Sequence, residues 1–157
     1  MKKLLSWLII MFLLFSNAFA HPLVNEAKKH LNKPYVYSAT GPKSFDCSGF
    51  VYYCIKEVYG FEIKRTAREQ GYDEDYLKIN SIKQLKIGDL VFFNTVRDKD
   101  LCDHAGIYIG NNQFIHSSSG SRKVVISELE GSYYENLFSW GRRLIEDDKE
   151  QRRTTQN

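Results

Sequence analysis

The sequence is poor in proline and cysteine, with three of each among 157 residues, and it shows no segment repeated at a fixed period. The missing repeats exclude a solenoid, and the length excludes a TIM barrel. Apolar residues make up 43% of the chain and charged residues 26%, which excludes a disordered or fibrous protein. The remaining class is one globular domain with a single core.

A strong excess of charge is also missing. The chain has 22 basic and 19 acidic residues, a net charge of +3. Lys2 and Lys3 belong to the N-terminal leader described next, and without them 20 basic residues face 19 acidic ones. This balance gives no reason to expect nucleic-acid binding.

Only one apolar run approaches the length of a membrane span, and it lies at the N-terminus. Lys2-Lys3 precede the run from Leu4 to Phe15, and Ala18-Phe19-Ala20 is an A-x-A cleavage site. This pattern is typical of a secretory signal peptide over 1–20. A run of about twelve residues is short for a span of about 20, although an uncleaved anchor is the alternative. We therefore expect export to the periplasm or cell exterior without a stable membrane anchor.

Export places the three cysteines in an oxidising compartment. With Cys47, Cys54 and Cys102, at least one thiol stays free or pairs with another chain. Cys47 and Cys54 lie seven residues apart on a predicted helix, which puts their Cα atoms about 10 Å apart. That separation exceeds the disulfide limit of about 7 Å. A bridge between Cys54 and Cys102 stays open.

The first half of the chain has the apolar periodicity of helices. The predicted helices are Val24–Leu31, Phe50–Val58 and a capping-box helix from Thr66 to about Tyr72. Gly60 ends the second helix, and Cys54 lies on its apolar stripe, which predicts a core position. Residues 72–83 are polar and are interpreted as irregular.

The second half has the period of strands. The predicted strands are Asp89–Asn94, Ala105–Ile109, Gln113–Ser117, Lys123–Ser127 and Arg142–Ile145. Helices followed by strands predict an α+β fold with an antiparallel sheet. The charged and polar residues 146–157 predict a frayed, disordered tail.

Asp46-Cys47-Ser48-Gly49 combines a helix cap with a thiol. If Asp46 is the N-cap, Cys47 lies in the first helical turn, where unpaired amides and the helix dipole favour negative charge. We therefore expect a lowered thiol pKa and a nucleophilic Cys47.

The predicted hairpin carries two histidines that suit a nucleophilic thiol. A three-residue loop, Gly110–Asn112, would place Gly106 opposite His116, so that His104 and His116 share a face. A two-residue loop, Asn111-Asn112, would put them on opposite faces. The sequence leaves this register open.

In the first register the three residues form a Cys-His-His triad. Cys47 attacks a carbonyl carbon, His104 moves the proton, His116 orients His104, and backbone amides near Cys47 hold the oxyanion. Each histidine alone is more often a satisfied polar residue at a strand end. A zinc site is the other chemical interpretation, but no C-x-x-C or H-x-x-x-H spacing supports it.

From about Val24 to Ile145, several motifs in order resemble those of the NlpC/p60 cell-wall hydrolases, which are papain-like cysteine peptidases of bacteria. The matching segments are Pro34–Tyr37 with Gly41-Pro42, Phe45–Val51, Arg65-Thr66 with Gln70, Leu85–Phe93, Asp103–Gly110, Phe114–Ser117 and Gly141–Arg143. A lone Asp-Cys-Ser-Gly would be a weak signal, whereas the ordered set is a strong one.

The resemblance implies a catalytic domain over 21–145 with a papain-like α+β fold, in which the nucleophile helix packs on a central antiparallel sheet. It implies hydrolysis of peptidoglycan stem peptides, typically between D-γ-glutamate and diaminopimelate, without a cofactor or metal. The implied catalytic residues are Cys47, His104 and His116. The implied substrate-binding residues are Tyr35, Asp46 and Ser48, although capping alone also explains Asp46.

Two departures from the family pattern stand out. Ser38-Ala39 replaces the usual Gly-Gly after the tyrosine, which puts the shape of that cleft wall in question. Cys102, two residues before His104, is interpreted as an incidental loop residue.

Several alternatives remain at the level of function. The same triad would serve an N-acetylmuramoyl-L-alanine amidase or an acyltransferase. A non-catalytic wall-peptide-binding module would be expected to lack one of the triad residues, and an effector loaded from the cytosol would normally lack the leader. No SH3-like or LysM module is recognised, so a partner or unknown regulator stays open, and we expect a monomer.

Overall fold

The structure is a computed structural model that describes residues 21–97 and 102–144. The predicted leader over 1–20, the predicted tail over 146–157 and Ile145 lie outside the described residues. Within the described ranges, no helix is long and apolar enough to cross a membrane.

Three α-helices precede the six strands of the sheet, and each has a local cause. They are α1 (Pro22–Lys29), α2 (Cys47–Tyr59) and α3 (Ala67–Tyr72). α1 begins two residues before its predicted start because Pro22, which lacks an N–H, fits the first turn of a helix. α2 ends at Gly60, whose φ of 75° is the left-handed conformation of a glycine cap. The predicted capping box of Thr66 and Glu69 is present at α3.

The sheet has six strands, and every neighbouring pair is antiparallel. The strands are β1 (Leu77–Ile79), β2 (Leu90–Phe93), β3 (His104–Gly110), β4 (Gln113–Ser118), β5 (Lys123–Glu128) and β6 (Phe138–Arg143), in the spatial order β1-β6-β2-β3-β4-β5. The predicted α+β fold with an antiparallel sheet is confirmed.

The prediction of irregular chain over 72–83 was wrong. Leu77–Ile79 pairs with β6 as an edge strand, and Ile82–Gln84 forms a turn of 3₁₀ helix. Three residues are too few to display a strand period, so the pairing with β6 decides the conformation. β6 itself begins at Phe138, four residues before the predicted start at Arg142.

Apolar side chains cover both faces of the sheet. Along β2, Leu90 and Phe92 pack in the core beneath the helices, whereas Val91 and Phe93 pack in a second cluster on the opposite face. All four are fully buried, as the apolar run predicted. α2 packs against β3 and β4, which fixes its N-terminus over the sheet.

The turn of the β3–β4 hairpin has two residues. Asn111 and Asn112 both have positive φ, 51° and 62°, and Gly110 pairs with Gln113. Asparagine tolerates this left-handed backbone, which suits a tight hairpin. By itself this turn would place the two histidines on opposite faces.

A bulge at Ile109 reverses that outcome. The register shifts between Tyr108 and Gly110, so that Tyr108 pairs with Phe114 below the bulge. This is the register that the three-residue loop predicted. A Cβ placed on Gly106 would lie 3.2 Å from the Cβ of His116, so the predicted juxtaposition of these two residues is present.

Candidate active site

Cys47 is the first residue of α2, directly after the helix cap. The Asp46 carboxylate accepts the Gly49 N–H at 2.6 Å, as the sequence predicted for an N-cap. The Cys47 thiol lies 3.8 Å from the Asp103 carbonyl oxygen, and the N–H of Ala105 faces the sulfur. The sulfur therefore contacts the backbone on both sides of His104.

The expected lowering of the Cys47 pKa was wrong. Burial raises the pKa of the thiol above its ordinary value, and the Asp46 carboxylate adds to this effect. Backbone N–H groups of Ser48, Ala105 and Cys47 itself act in the opposite direction without reversing it. The resting thiol is therefore protonated at neutral pH.

His104 and His116 lie on one face of the sheet, as the favourable register predicted. The Nε2 atom of His104 is 2.7 Å from the Nδ1 atom of His116, and the two rings are nearly perpendicular. Burial lowers the pKa of His104 to about 4 and that of His116 well below its ordinary value. The two rings are therefore neutral at pH 7.

Two further side chains extend this pair, and no sequence pattern pointed to either of them. The Nε2 atom of His116 is 3.0 Å from the Oγ atom of Ser127 on β5. The hydroxyl of Tyr134 reaches Ser127 and Ser118. Only the register between β4 and β5, which no local pattern reveals, places Ser127 next to His116.

The chain just before β3 is held by Asp103. Its carboxylate accepts the Thr95 N–H at 2.6 Å and also accepts from the Thr95 hydroxyl. Since the Asp103 carbonyl faces the thiol and His104 follows directly, this contact fixes both groups relative to β2.

A pocket of about 350 Å³ opens beside the thiol. Its walls include Tyr35, Asp46, Cys47, Ser48 and Arg65. The structure thus brings the predicted substrate-binding residues together at one pocket next to Cys47. Burial raises the pKa of the Tyr35 hydroxyl, and the nearby Cys47 and Asp46 add to the effect.

Arg65 belongs to one of the matching motifs but was not predicted as a site residue. Its two terminal guanidinium nitrogens, Nη2 and Nη1, donate to the Asp46 carboxylate at 2.6 and 3.1 Å, and Nη1 also donates to the Ser48 hydroxyl at 3.0 Å. The buried carboxylate at the pocket wall is therefore paired. Asp46 has two structural duties, capping α2 and holding Arg65.

Buried polar contacts fix the start of α2 from two sides. The Ser117 hydroxyl on β4 donates to the Phe45 carbonyl at 2.8 Å. The Gln70 amide on α3 donates to the Ser48 carbonyl at 3.1 Å. The segment around Cys47 is therefore held to the sheet through Phe45 and to α3 through Ser48.

A second pocket, of about 250 Å³, opens beside His104. Its walls include Thr95, Ser118, Ser119 and Tyr134, so hydroxyl groups rather than charges surround it. The described residues therefore form one pocket next to the Cys47 thiol and another next to the His104 ring.

The two other cysteines are buried in the core. Cys54 is fully buried on the apolar stripe of α2, which confirms its predicted position. Cys102 lies in the loop just before β3, as expected, but it is also fully buried, and its Sγ lies 3.5 Å from the Ala67 carbonyl oxygen. The three thiols are free, so the Cys54–Cys102 disulfide does not form. Across the described ranges, no cluster of three or more His, Cys, Asp or Glu side chains is arranged to hold a metal ion.

The sequence profile of the NlpC/P60 family matches residues 32–143. The chain belongs to the NlpC/P60 family. This match confirms the resemblance drawn from the motifs.

Characterised NlpC/P60 relatives extend beyond the matching region. The murein DD-endopeptidase MepH of Escherichia coli (strain K12) is 36% identical over 123 residues, covering 78% of this chain and 45% of the relative. The gamma-DL-glutamyl hydrolase of Bacillus subtilis (strain 168) is 36% identical over 124 residues, covering 78% of this chain and 29% of the relative. The chain spans about half the length, or less, of these curated relatives.

A solved NlpC/P60 structure has the same fold. NlpC2 from Trichomonas vaginalis superposes with a TM-score of 0.70 at 32% identity, covering 77% of this chain and 44% of that chain. The predicted papain-like α+β fold is therefore confirmed.

At the departure from the NlpC/P60 pattern, Ser38-Ala39, the chain adopts a backbone conformation that suits glycine. Ser38 has a φ of 65°, the left-handed conformation that glycine adopts freely. The Ala39 carbonyl accepts the Asp46 N–H at 2.9 Å and lies 2.2 Å from where a Cβ on Gly49 would be. Glycine at position 49 is what allows this close approach.

Proposed function

We propose that the protein is an exported cysteine peptidase that hydrolyses peptide bonds in peptidoglycan stem peptides. One observation carries the proposal: the Cys47 thiol contacts the backbone on both sides of His104, which is hydrogen-bonded to His116, beside an open pocket. The names of relatives that act on murein and on glutamyl bonds support the substrate class.

The protonation states favour general-base catalysis. Cys47 is a thiol and His104 a neutral base at rest, so His104 takes the proton as the sulfur attacks the substrate carbonyl. In the structure the thiol lies toward the Asp103 carbonyl, and substrate entry must turn it toward the ring. His116 accepts from His104 and stabilises the imidazolium that forms.

The remaining steps need water alone. The C–N bond breaks as His104 returns its proton to the leaving amine, which leaves an acyl thioester on Cys47. Water then loses a proton to His104 and attacks the thioester, releasing the acid and the free thiol. Backbone N–H groups at the start of α2 stabilise the oxyanion in both steps.

Substrate binding is assigned to the pocket beside the thiol. The Tyr35 hydroxyl and the Asp46–Arg65–Ser48 network present hydrogen-bonding groups to a stem peptide, which carries free carboxylates and amines. Because the Asp46 carboxylate is paired with Arg65, a substrate in the pocket meets an oriented ion pair without net charge instead of an unpaired carboxylate.

We place the cleaved bond between D-γ-glutamate and diaminopimelate. The relative named as a gamma-DL-glutamyl hydrolase favours a bond to a glutamyl group. The relative named as a DD-endopeptidase favours a second candidate, a bond between two D-residues of a cross-link.

Mass spectrometry of purified muropeptides, incubated with the protein under reducing conditions, tests the activity and the bond. Loss of the diaminopimelate-containing fragment supports the first bond, and resolution of cross-linked dimers supports the second. Release of the whole stem from muramic acid identifies an amidase instead. Absence of any product contradicts the proposal and favours a wall-peptide-binding module.

Export has its own test. The leader pattern over 1–20 supports cleavage after Ala20 and a mature N-terminus at His21. The intact mass of the protein from the producing cell checks this cleavage, and a mass that retains residues 1–20 would contradict it.

A further inference from the structure

We propose that Ser127 and Tyr134 are positioning residues that hold His116, and through it His104, in the tautomer that can accept the thiol proton. The inference rests on the proposed function, in which His104 is the base. It adds two residues that neither the family motifs nor the sequence patterns single out.

His116 is fully buried, so its ring nitrogens depend on protein partners. Its Nδ1 atom is 2.7 Å from His104, and its Nε2 atom is 3.0 Å from the Ser127 hydroxyl. A neutral imidazole carries one N–H donor and one bare nitrogen acceptor. The His116 nitrogen that carries the proton therefore depends on the contact with Ser127, and it in turn determines which nitrogen of His104 is protonated.

Only one of the two tautomers of His116 leaves His104 able to act as the base. If His116 donates from Nε2 to Ser127, its Nδ1 accepts from His104, and the Nδ1 atom of His104 is left bare to take a proton. If Ser127 donates to His116 instead, His104 must carry its proton on Nδ1 and cannot act as the base. The hydroxyl of Ser127 must therefore act as the acceptor in this contact.

The phenol oxygen of Tyr134 is a second acceptor for the proton of the Ser127 hydroxyl. The phenol oxygen of Tyr134 lies within hydrogen-bond reach of Ser127 and Ser118. Burial raises the pKa of Tyr134, whereas its contacts with these two hydroxyls lower it. With its proton directed to Tyr134, Ser127 presents a lone pair to His116.

The aromatic rings around the pair restrict its rotation. Phe114 stacks on His116 with centroids 4.5 Å apart, and Tyr134 meets the same ring edge-on at 5.2 Å. The Tyr134 ring also lies nearly parallel to that of His104, at 6.3 Å. Tyr134 therefore acts on the pair through its ring as well as through its hydroxyl.

Kinetics of three serine variants test the hydroxyl. Ser127→Ala removes the acceptor, and we expect kcat to fall on the order of 10- to 100-fold with KM nearly unchanged, since outer hydrogen-bond partners have effects of this size. Ser127→Thr keeps the hydroxyl and should recover most of kcat. Ser121→Ala, at an exposed serine in the β4–β5 turn, is the matched control and should behave as wild type.

Two results would overturn the inference on kinetic grounds. One is a folded Ser127→Ala variant with wild-type kcat, its fold checked by circular dichroism. The other is a Ser127→Thr variant as impaired as Ser127→Ala, since that would assign the effect to packing. The wild-type protein and the Cys47→Ala variant are measured in the same assay as positive and negative controls. A wild type that fails to hydrolyse muropeptides counts against the proposed function rather than against this inference.

The tautomers can be measured without any substrate. Two-dimensional ¹H–¹⁵N NMR that links ring nitrogens to ring protons distinguishes Nδ1–H from Nε2–H. We expect Nε2–H on both His104 and His116 in the wild type at neutral pH, and a shift of His116 toward Nδ1–H in Ser127→Ala. Nδ1–H on wild-type His116 would overturn the inference even if no variant folded. Tyr134→Phe should shift the population in the same direction as Ser127→Ala.

Discussion

The Nε2 atom of His104 lies 2.7 Å from the Nδ1 atom of His116, on strands joined by a turn that by itself would separate them. Burial lowers the pKa of both rings, and for His116 the neighbouring His104 adds to the effect. At rest, two neutral imidazole rings therefore lie near a thiol that keeps its proton.

Activity should be lost at a lower pH than in an enzyme whose base is an ordinary histidine. Burial lowers the pKa of His104 to about 4, and protonation removes the base, so activity falls as pH decreases through that value. We expect kcat/KM for muropeptide hydrolysis to hold steady from pH 7 to about 5 and to halve near pH 4. An acid limb centred near the ordinary histidine value of about 6.5 would contradict the burial argument.

Replacing Cys47 should remove the hydrolytic activity without lowering the stability of the fold. Cys47→Ala is expected to abolish hydrolysis and to leave the melting temperature close to that of wild type, because the residue is only partly buried. Cys54→Ala, the matched control, should keep activity and lose about 1 kcal/mol of unfolding free energy, as for a small core deletion. Hydrolysis by folded Cys47→Ala would remove this residue from the nucleophile role.

Arg65→Met should weaken both the pocket and the helix start. The substitution leaves the buried Asp46 carboxylate without its bidentate partner, and we expect a loss of about 1–2 kcal/mol, discounted because Arg65 itself faces solvent. KM for the stem peptide should rise because the Ser48 contact is lost as well. Urea unfolding and steady-state kinetics measure the two effects. Unchanged stability and unchanged KM together would show that the pair is dispensable.

Gly106→Ala should disturb the histidine pair directly. The new Cβ would lie 2.8 Å from the Phe114 ring and 3.0 Å from the Ile115 carbonyl, so the β4 backbone must move. We expect a loss of about 1–3 kcal/mol in stability, as for overpacking, and a fall in kcat. Gly120→Ala is the control for stability, because its nearest neighbour would be 3.8 Å away. A Gly106→Ala variant as stable as wild type would contradict the close packing at this position.

The features that were predictable from sequence have local causes. The Asp46 cap, the apolar stripe of α2 and the capping box at α3 each depend on residues within a few positions of one another. Pairing of the histidines was predictable only as one of two registers, because the bulge at Ile109 leaves no mark in the pattern of the strand.

What the sequence could not predict depends on distant contacts. The edge strand at Leu77 exists because β6 pairs with it. The raised pKa of Cys47 follows from burial, which overrides the helix terminus on which the sequence argument relied. Ser127 and Tyr134 come to His116 from separate elements beyond β4.

The bulge at Ile109 accommodates one extra residue between the turn and the histidine pair. Deleting Ile109 would make Tyr108–Phe114 and Gly110–Gln113 consecutive pairs behind the same two-residue turn, so His104 and His116 would still share a face. Removing a second residue of β3 at this point would place the two histidines on opposite faces of the sheet. This hairpin should therefore tolerate the loss of its bulged residue far better than the loss of one residue more.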